Sequence, residues 1–348
     1  MQIEHSMRRR RDSYASAAMH VPGIAGDSPA SQGETSLHAV RPGSLGDRLD
    51  LDTEEAEAAL VDAVISVRGP RCGEESRASG ESQDADDGPI TTALLLAAGA
   101  GTRLQPLTDG CPKCLTEVHG VPILGRLLSC LVEQGFERLV VVVGYRGEQI
   151  RDYLESNDSG LAIRFVDCPE YATTNNIYSL WMARRCIRES FVLIESDLLF
   201  DSRLLGLMRV RNRVAVARFQ PGLIGTTVSI DRSGRVKEFH VGVSLDTPNL
   251  AQKTVNLYSL SAGAWREVVR RLERRIAAGR VHDYYEVVFA EMVAEGLLAL
   301  QAVSFDAGRW CEIDTLEDLR VAEQLFQKSR RATWPRTTNR TFSTGGSS

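Results

Sequence analysis

Lysine is scarce in this chain. Of 41 basic residues only four are lysine: Lys113, Lys237, Lys253 and Lys328. Arginine serves almost wherever either cation would do, so each lysine is more informative than usual. Acidic residues outnumber basic ones and leave a net charge of -5. That balance argues against non-specific nucleic-acid binding, which needs many phosphate-neutralising cations on one face. Long apolar runs are missing as well. None approaches the ~20 residues of a membrane helix, so no membrane partner is expected. Arg8 to Arg11 make a basic start, but no apolar stretch follows them. A secretory leader is therefore not expected, and the expected compartment is the cytoplasm. The seven cysteines are odd in number and scattered, which does not make a disulfide framework. Cys130 and Cys186 lie among apolar residues and read as buried small hydrophobes. His119, His240 and His282 are isolated and suggest no role. There is no internal repeat.

What remains is an ordinary globular composition, 43% hydrophobic and 25% charged over 348 residues. Residues 1–88 are rich in Ser, Gly, Ala, Asp and Glu and show no strand pattern. They read as a disordered extension, in which Leu51 to Val67 fits an amphipathic helix capped by Asp52 or Thr53. Residues 329–348 read as a disordered tail. Between them, 89–328 form one expected domain.

In that domain apolar runs alternate with amphipathic segments. TTALLLA, RLVVVVG, LAIRFVD and FVLIESD read as buried strands. Helices are expected over 121–135, 147–157 and 175–187. Strands buried on both faces and separated by helices indicate a parallel sheet covered on each side, a three-layer α/β/α arrangement. After Asp201 the pattern loosens into VAVARF, a hairpin in TTVSIDRSGRVKEF turning at Ser233-Gly234, and TVNLYSLS. This predicts a small β-rich subregion. Two helices follow, at about 263–279 and 283–295, then a strand LLALQAV (297–303) and a last helix after Asp314.

The first strand runs into LAAGAGTRLQPLTDGCPKCL, residues 96–115. Gly99 and Gly101 begin a dinucleotide fingerprint, but position 104 is leucine rather than the third glycine. The phosphate-loop spacing fails too. The C-x-x-C of Cys111 and Cys114 has no second ligand pair for zinc. It does not open a helix as a redox pair would, because Leu115 to Val118 reads as extended chain. A glycine-rich loop bearing Arg103 and Lys113 survives these exclusions. Glycines let backbone N–H groups approach a phosphate, and the two cations neutralise it. A compact ammonium suits a phosphate that moves during reaction.

These residues resemble the signature L-A-A-G-x-G-[TS]-R-[LM]…P-K of sugar-phosphate-type nucleotidyltransferases. Within that superfamily the chain looks most like the bacterial CTP:phosphocholine and phosphonate cytidylyltransferases. Supporting segments are YATTNNIYSLWMA (171–183), IESDLLFD (194–201), KTVNLYSLS (253–261) and WCEIDTLEDLRVAE (310–323). The likeness covers about 91–327, and the family's E-G-D stands here as Glu195-Ser196-Asp197. The resemblance implies a nucleotidyltransferase α/β/α fold with a Rossmann-like sheet. It implies Mg²⁺-dependent transfer of CMP from CTP to a small anionic acceptor of the phosphocholine or 2-aminoethylphosphonate type.

The resemblance places roles on residues. Asp197 and Asp314 would hold Mg²⁺ and, with Arg103 and Lys113, form the catalytic set. The bland alternatives are a solvated strand end for Asp197 and a helix cap at Asp314 or Thr315. Ala97, Ala98, Gly99, Gly101 and Thr102 would line the nucleotide with Arg103 and Lys113, and Gln105 would contact a phosphate or the base. Of the adjacent amides, one of Asn175 and Asn176 is expected to cap a helix, and Asn176 is assigned to the nucleotide. Tyr178, Lys253, Tyr285, Glu286, Trp310 and Glu312 are the acceptor candidates, with Glu312 a potential third acidic ligand. Tyr178 and Trp181, three residues apart, equally fit a packed stripe, and Lys253 equally fits a surface lysine. A homodimer stays open. Transfer from another NTP to a sugar 1-phosphate or the molybdenum cofactor is the near alternative. A nucleotide sensor without turnover is the distant one.

Overall fold

The structure is a computed structural model that describes residues 88–218, 225–242 and 251–326. All of these fall in one unit that begins at Asp86. The helix expected at 51–67 and the tail at 329–348 lie outside the described residues, as does the extension before Gly88.

The four buried runs are strands. β1 (Thr92–Ala97) is followed by two short strands, β2 (Glu117–Val118) and β3 (Val121–Pro122), and helix α1 (Ile123–Glu133). Next come β4 (Arg138–Val143), α2 (Gly147–Ser156), β5 (Ala162–Asp167), α3 (Asn176–Met182) and β6 (Phe191–Glu195). The spatial order β6-β1-β4-β5 is parallel throughout. β1 shows why the sequence forms this layer. All six of its residues are buried. Leu94 and Leu96 pack with α3 residues such as Ile177 and Leu180. Ala93 and Leu95 face the other way, onto Leu124 and Leu128 of α1 and Ile150 of α2. A strand that buries alternate residues in two cores lies in the middle of three layers.

The remaining elements are β7 (Leu198–Phe200), α4 (Ser202–Leu207), β8 (Arg213–Arg218), β9 (Thr227–Ile230), β10 (Val236–His240) and β11 (Ala251–Leu260). α5 (Ala262–Ala277), α6 (Glu286–Ala294), β12 (Gln301–Ser304), β13 (Trp310–Glu312) and α7 (Leu316–Leu325) complete the chain. β9 and β10 form the expected hairpin around Ser233-Gly234. β11 is the pivot. Its second half pairs antiparallel with β6, and its first half pairs with β9 in the β-rich subregion. Between the halves its register against β8 shifts, and Asn256 adopts φ 55°. This is a bulge that bends the strand where it leaves the central sheet.

Several boundaries differ from expectation. Leu297 to Leu300 are not strand; Leu298 and Leu300 plug the core from a loop, and β12 starts at Gln301. α3 ends at Met182 and continues as a 3₁₀ turn, Ala183–Arg185. The stretch expected to be extended from Leu115 begins instead with a 3₁₀ turn, Lys113–Leu115. Cys130 and Cys186 are half-buried rather than buried. Among the described residues, no helix is long and apolar enough to cross a membrane.

Candidate active site

The loop after β1 is held by its own sequence. Gly101 takes a left-handed conformation, φ 62°, and a Cβ there would stand 3.1 Å from Lys113 Cβ. Glycine is required twice over, for the dihedral and for the approach. Thr108 Oγ1 donates to Gly101 O at 2.9 Å, and Tyr145 OH donates to the carbonyls of Thr108 and Asp109 at 2.8 Å. Gln149 Nε2 donates to Gly110 O at 2.9 Å. The loop is thus strapped to the β4–α2 corner, outside the carboxyl ends of the parallel strands where such sheets bind ligands. Gly144 makes that corner fit: a Cβ there would lie 2.7 Å from Ala98 O.

Opposite the loop two aspartates meet. Asp197 precedes β7 and Asp314 follows β13. The two strands pair antiparallel with Leu198 opposite Glu312, and Ile313 N donates to Asp197 O at 3.0 Å. Lys113 Nζ sits between the carboxylates, 2.6 Å from Asp197 Oδ2 and 2.6 Å from Asp314 Oδ1. Arg103, largely exposed, reaches Asp314 Oδ1 at 2.9 Å. Burial works against the Lys113 ammonium, but the two aspartates outweigh it and hold its pKa above the usual lysine range. Asp314 is not a helix cap. Thr315 caps α7, in a reciprocal capping box with Asp318.

The residues fit a hard divalent cation. Asp197, Glu312 and Asp314 bring carboxylate oxygens within 4.8 Å of one another. Asp197 Oδ1 is buried without a hydrogen-bond partner. Oxygen-only carboxylate sites of this kind suit Mg²⁺. Glu312 has both oxygens in use, one 3.4 Å from Lys253 Nζ and the other accepting from Asn256 Nδ2 at 3.2 Å. Asp197 and Asp314 are the two of the three that could hold such a cation from either side of Lys113.

A second group lies beside the first. Asn176 Oδ1 accepts from Tyr285 N at 3.1 Å, and its Nδ2 reaches Glu195 Oε1 at 3.4 Å. Asn175 is the helix cap. Lys253 is no surface lysine: it is 1% exposed, since β11 carries it under the β-rich subregion to Glu312. Burial pushes Glu286 up to about 7. Burial, opposed by Lys253 and reinforced by the charges of Asp197 and Asp314, raises Glu312 to about 6. Burial, then the charges of Asp197 and Glu286, raises Glu195 well above the carboxylate range.

The other expected contacts are placed differently. The side chains of Ala97 and Ala98 are buried in the core, and Ala98 O is taken by Tyr145 N at 2.9 Å. Of the expected nucleotide contacts there, Gly99, Thr102, Arg103 and Gln105 are exposed and Gly101 partly so. Tyr178 packs on Trp181, ring centroids 5.1 Å apart, so the packed stripe is what forms. Trp310 pairs with Phe200 in the sheet and packs on the core. The Tyr285 ring is wholly buried. Sequence reasoning passed over Glu195 and Asn256. Glu195 had a signal, since it stands two residues before Asp197 at a strand end and period two puts both on one face.

A parallel sheet with a phosphate-type loop at one strand end, facing paired aspartates at another, defines a nucleotidyltransferase, and the chain belongs to that superfamily. Residues 93–224 match the MobA-like NTP transferase domain family. Its branch is that of the phosphocholine and phosphonate cytidylyltransferases. The chain is 31% identical over 232 residues to the 2-aminoethylphosphonate cytidylyltransferase of Lancefieldella rimae, covering 66% of this chain and 90% of the relative. It is 32% identical over 249 residues to the CMP-5'-(3-aminopropyl)phosphonate synthase of Streptomyces rubellomurinus, covering 68% of this chain. It spans only 39% of that relative's length, and 46% of the Streptococcus pneumoniae choline-phosphate cytidylyltransferase sequence. The solved structure of the CTP:phosphocholine cytidylyltransferase from Streptococcus pneumoniae shares the fold, with TM-score 0.59 at 22% identity over 69% of this chain and all of that one.

Proposed function

We propose that this protein transfers a cytidylyl group from CTP to a small phosphorylated or phosphonate acceptor, with release of pyrophosphate. The observation that carries the proposal is the placement of Lys113 between Asp197 and Asp314 beneath a glycine loop. That arrangement sets a phosphate-handling cation against a metal-holding pair. The names of the relatives supply the nucleotide and the acceptor class.

In this reaction an oxygen of the acceptor's phosphate or phosphonate attacks the α-phosphorus of CTP. The bond to the β-phosphate oxygen breaks, and pyrophosphate carries that electron pair away. Two anions must approach, so catalysis rests on positioning and charge neutralisation rather than on a protein nucleophile. Asp197 and Asp314 would hold Mg²⁺, which supplies charge neutralisation on the triphosphate when bound. Lys113 steadies the α-phosphate as charge develops, and Arg103, exposed at the rim of the site, grips the departing pyrophosphate. Gly99, Gly101 and Thr102 form the floor under the nucleotide. Lys253, Glu286 and Glu312 line the acceptor side, Asn176 faces the nucleotide beside them, and Lys253 is the cation that would meet the acceptor's own charge. The reaction belongs in the cytoplasm, and no nucleic acid or membrane takes part.

The test is a pyrophosphate-release assay with each of the four NTPs against 2-aminoethylphosphonate, phosphocholine and sugar 1-phosphates. Release with CTP and an amino or choline acceptor is the expected result. Release only with another NTP and a sugar phosphate would move the protein to the sugar branch. CTP binding without release in any pair would make it a sensor.

A further inference from the structure

Charge is unevenly matched around the acceptor side. Asp197 and Asp314 share Lys113, and Asp314 also takes Arg103. Glu312 takes Lys253. Glu195 and Glu286 have no cation within ion-pair distance among the described residues. Glu195 has neutral donors beside it, the amide of Asn176 at 3.4 Å and the hydroxyl of Tyr285. Glu286 is 5% exposed, and its Oε2 is buried with no hydrogen-bond partner. The hydroxyls of Tyr258 and Tyr285 are buried beside these carboxylates, Tyr258 toward Thr254 and Tyr285 toward Glu195, and neither makes a hydrogen bond of good geometry. Native proteins leave few buried polar atoms unpaired, and a buried carboxylate without a partner is costly. Several such oxygens gathered in one place call for a ligand that donates hydrogen bonds and carries positive charge.

A primary ammonium has three N–H donors. A trimethylammonium group has none and is held instead against open aromatic faces. Those faces are already taken. Tyr258, Tyr285 and Phe289 pack on one another, with centroids 5.1 to 5.9 Å apart. Tyr178 covers Trp181, and the Arg184 guanidinium lies 3.5 Å from the Trp181 ring centre. Tyr284 points away, 51% exposed.

We propose that Glu195 and Glu286 form a subsite for a protonated primary amine on the acceptor, so that aminoalkyl phosphates and phosphonates are taken in preference to their trimethylammonium counterparts. The proposal rests on the cytidylyl-transfer reading for the acceptor's phosphate end. Phosphoethanolamine and phosphocholine differ only in three N-methyl groups, and 2-aminoethylphosphonate separates phosphonate from phosphate.

The experiment measures kcat/KM with CTP and Mg²⁺ for these three acceptors on the full chain. It also measures the binding of each by calorimetry with a non-hydrolysable CTP analogue present. At least a tenfold preference for both amines over phosphocholine is expected. Glu286→Gln should raise KM for phosphoethanolamine about tenfold or more, and by a clearly larger factor than KM for phosphocholine, a split that general loss of structure would not give. Equal or better use of phosphocholine by the unmodified protein would overturn the proposal and leave cytidylyl transfer standing. If no acceptor releases pyrophosphate, the transfer reading falls. Calorimetry then decides the subsite alone: amines binding and phosphocholine not binding supports it, and equal or absent binding overturns it.

Discussion

The ammonium of Lys113 lies 2.6 Å from the carboxylate of Asp314, 201 residues further along the chain. The contact exists because β13 lies against β7, which sets Asp314 beside Asp197 under the glycine loop. If this is the reacting centre, Asp197→Asn and Asp314→Asn should each lower turnover by about 10²–10³-fold, the usual cost of losing a charge-stabilising group from an active site. Pyrophosphate release measures that loss. Calorimetric titration with Mg²⁺ should show weaker binding in both variants. Near-normal turnover in both would remove the metal assignment.

Thr315 separates catalysis from helix capping at this corner. Its side chain accepts from Asp318 N, and Asp318 returns the bond. Thr315→Ala should cost about 1 kcal/mol in denaturant unfolding, as cap removals do. Asp314→Asn, which leaves the cap intact, should be closer to neutral in stability and far more damaging to turnover. The reverse pattern would return Asp314 to a structural role.

The layered fold could be read from the chain because its strands are apolar on both faces. TTALLLA has no alternation to hide which core it serves, and Leu94 and Leu95 simply go to opposite ones. The loop residues Gly101, Arg103 and Lys113 were legible for a similar reason, since all lie within one motif. The pairing of β7 with β13 was not, because each strand has only three residues and their contact is set by the tertiary fold. Lys253 fitted an acceptor contact and a surface lysine equally well in a mixed strand, and the bulge at Asn256 explains how β11 turns that stretch toward Glu312. Asn256 itself had no pattern to announce it beyond asparagine's tolerance of positive φ.

Gly101 links the loop to its lysine. Gly101→Ala forces a side chain into φ 62°, at a cost of about 1–2 kcal/mol. It also presses the new Cβ to 3.1 Å from Lys113 Cβ. The expected result is a lower melting temperature and a several-fold higher KM for CTP, with a smaller change in acceptor KM. Gly110→Ala is the control within the same loop, because a Cβ there meets nothing within 4 Å and no positive φ opposes it. An unchanged KM for CTP in Gly101→Ala would show that the loop's shape does not govern nucleotide binding.

Glu286 makes stability itself depend on pH. Burial raises its carboxyl from an ordinary value of 4.5 to about 7 in the folded chain. The folded state therefore holds a proton that the unfolded state gives up between those values. The favourable contribution of the neutral acid is complete below about pH 4.5 and is lost as pH rises through about 7. Glu286→Gln keeps a neutral side chain at every pH. Without ligand, the variant should match the parent near pH 4.5 and exceed it by roughly 1–3 kcal/mol at pH 8, one pKa unit being worth about 1.4 kcal/mol. Urea unfolding at pH 4.5, 6 and 8 measures the difference. Adding phosphoethanolamine should narrow the gap at pH 8 if its ammonium pairs with the ionised carboxylate, because a ligand that binds only the folded state stabilises it. A gap independent of pH would mean that Glu286 is not a buried titrating acid, and the ammonium subsite would lose its central residue.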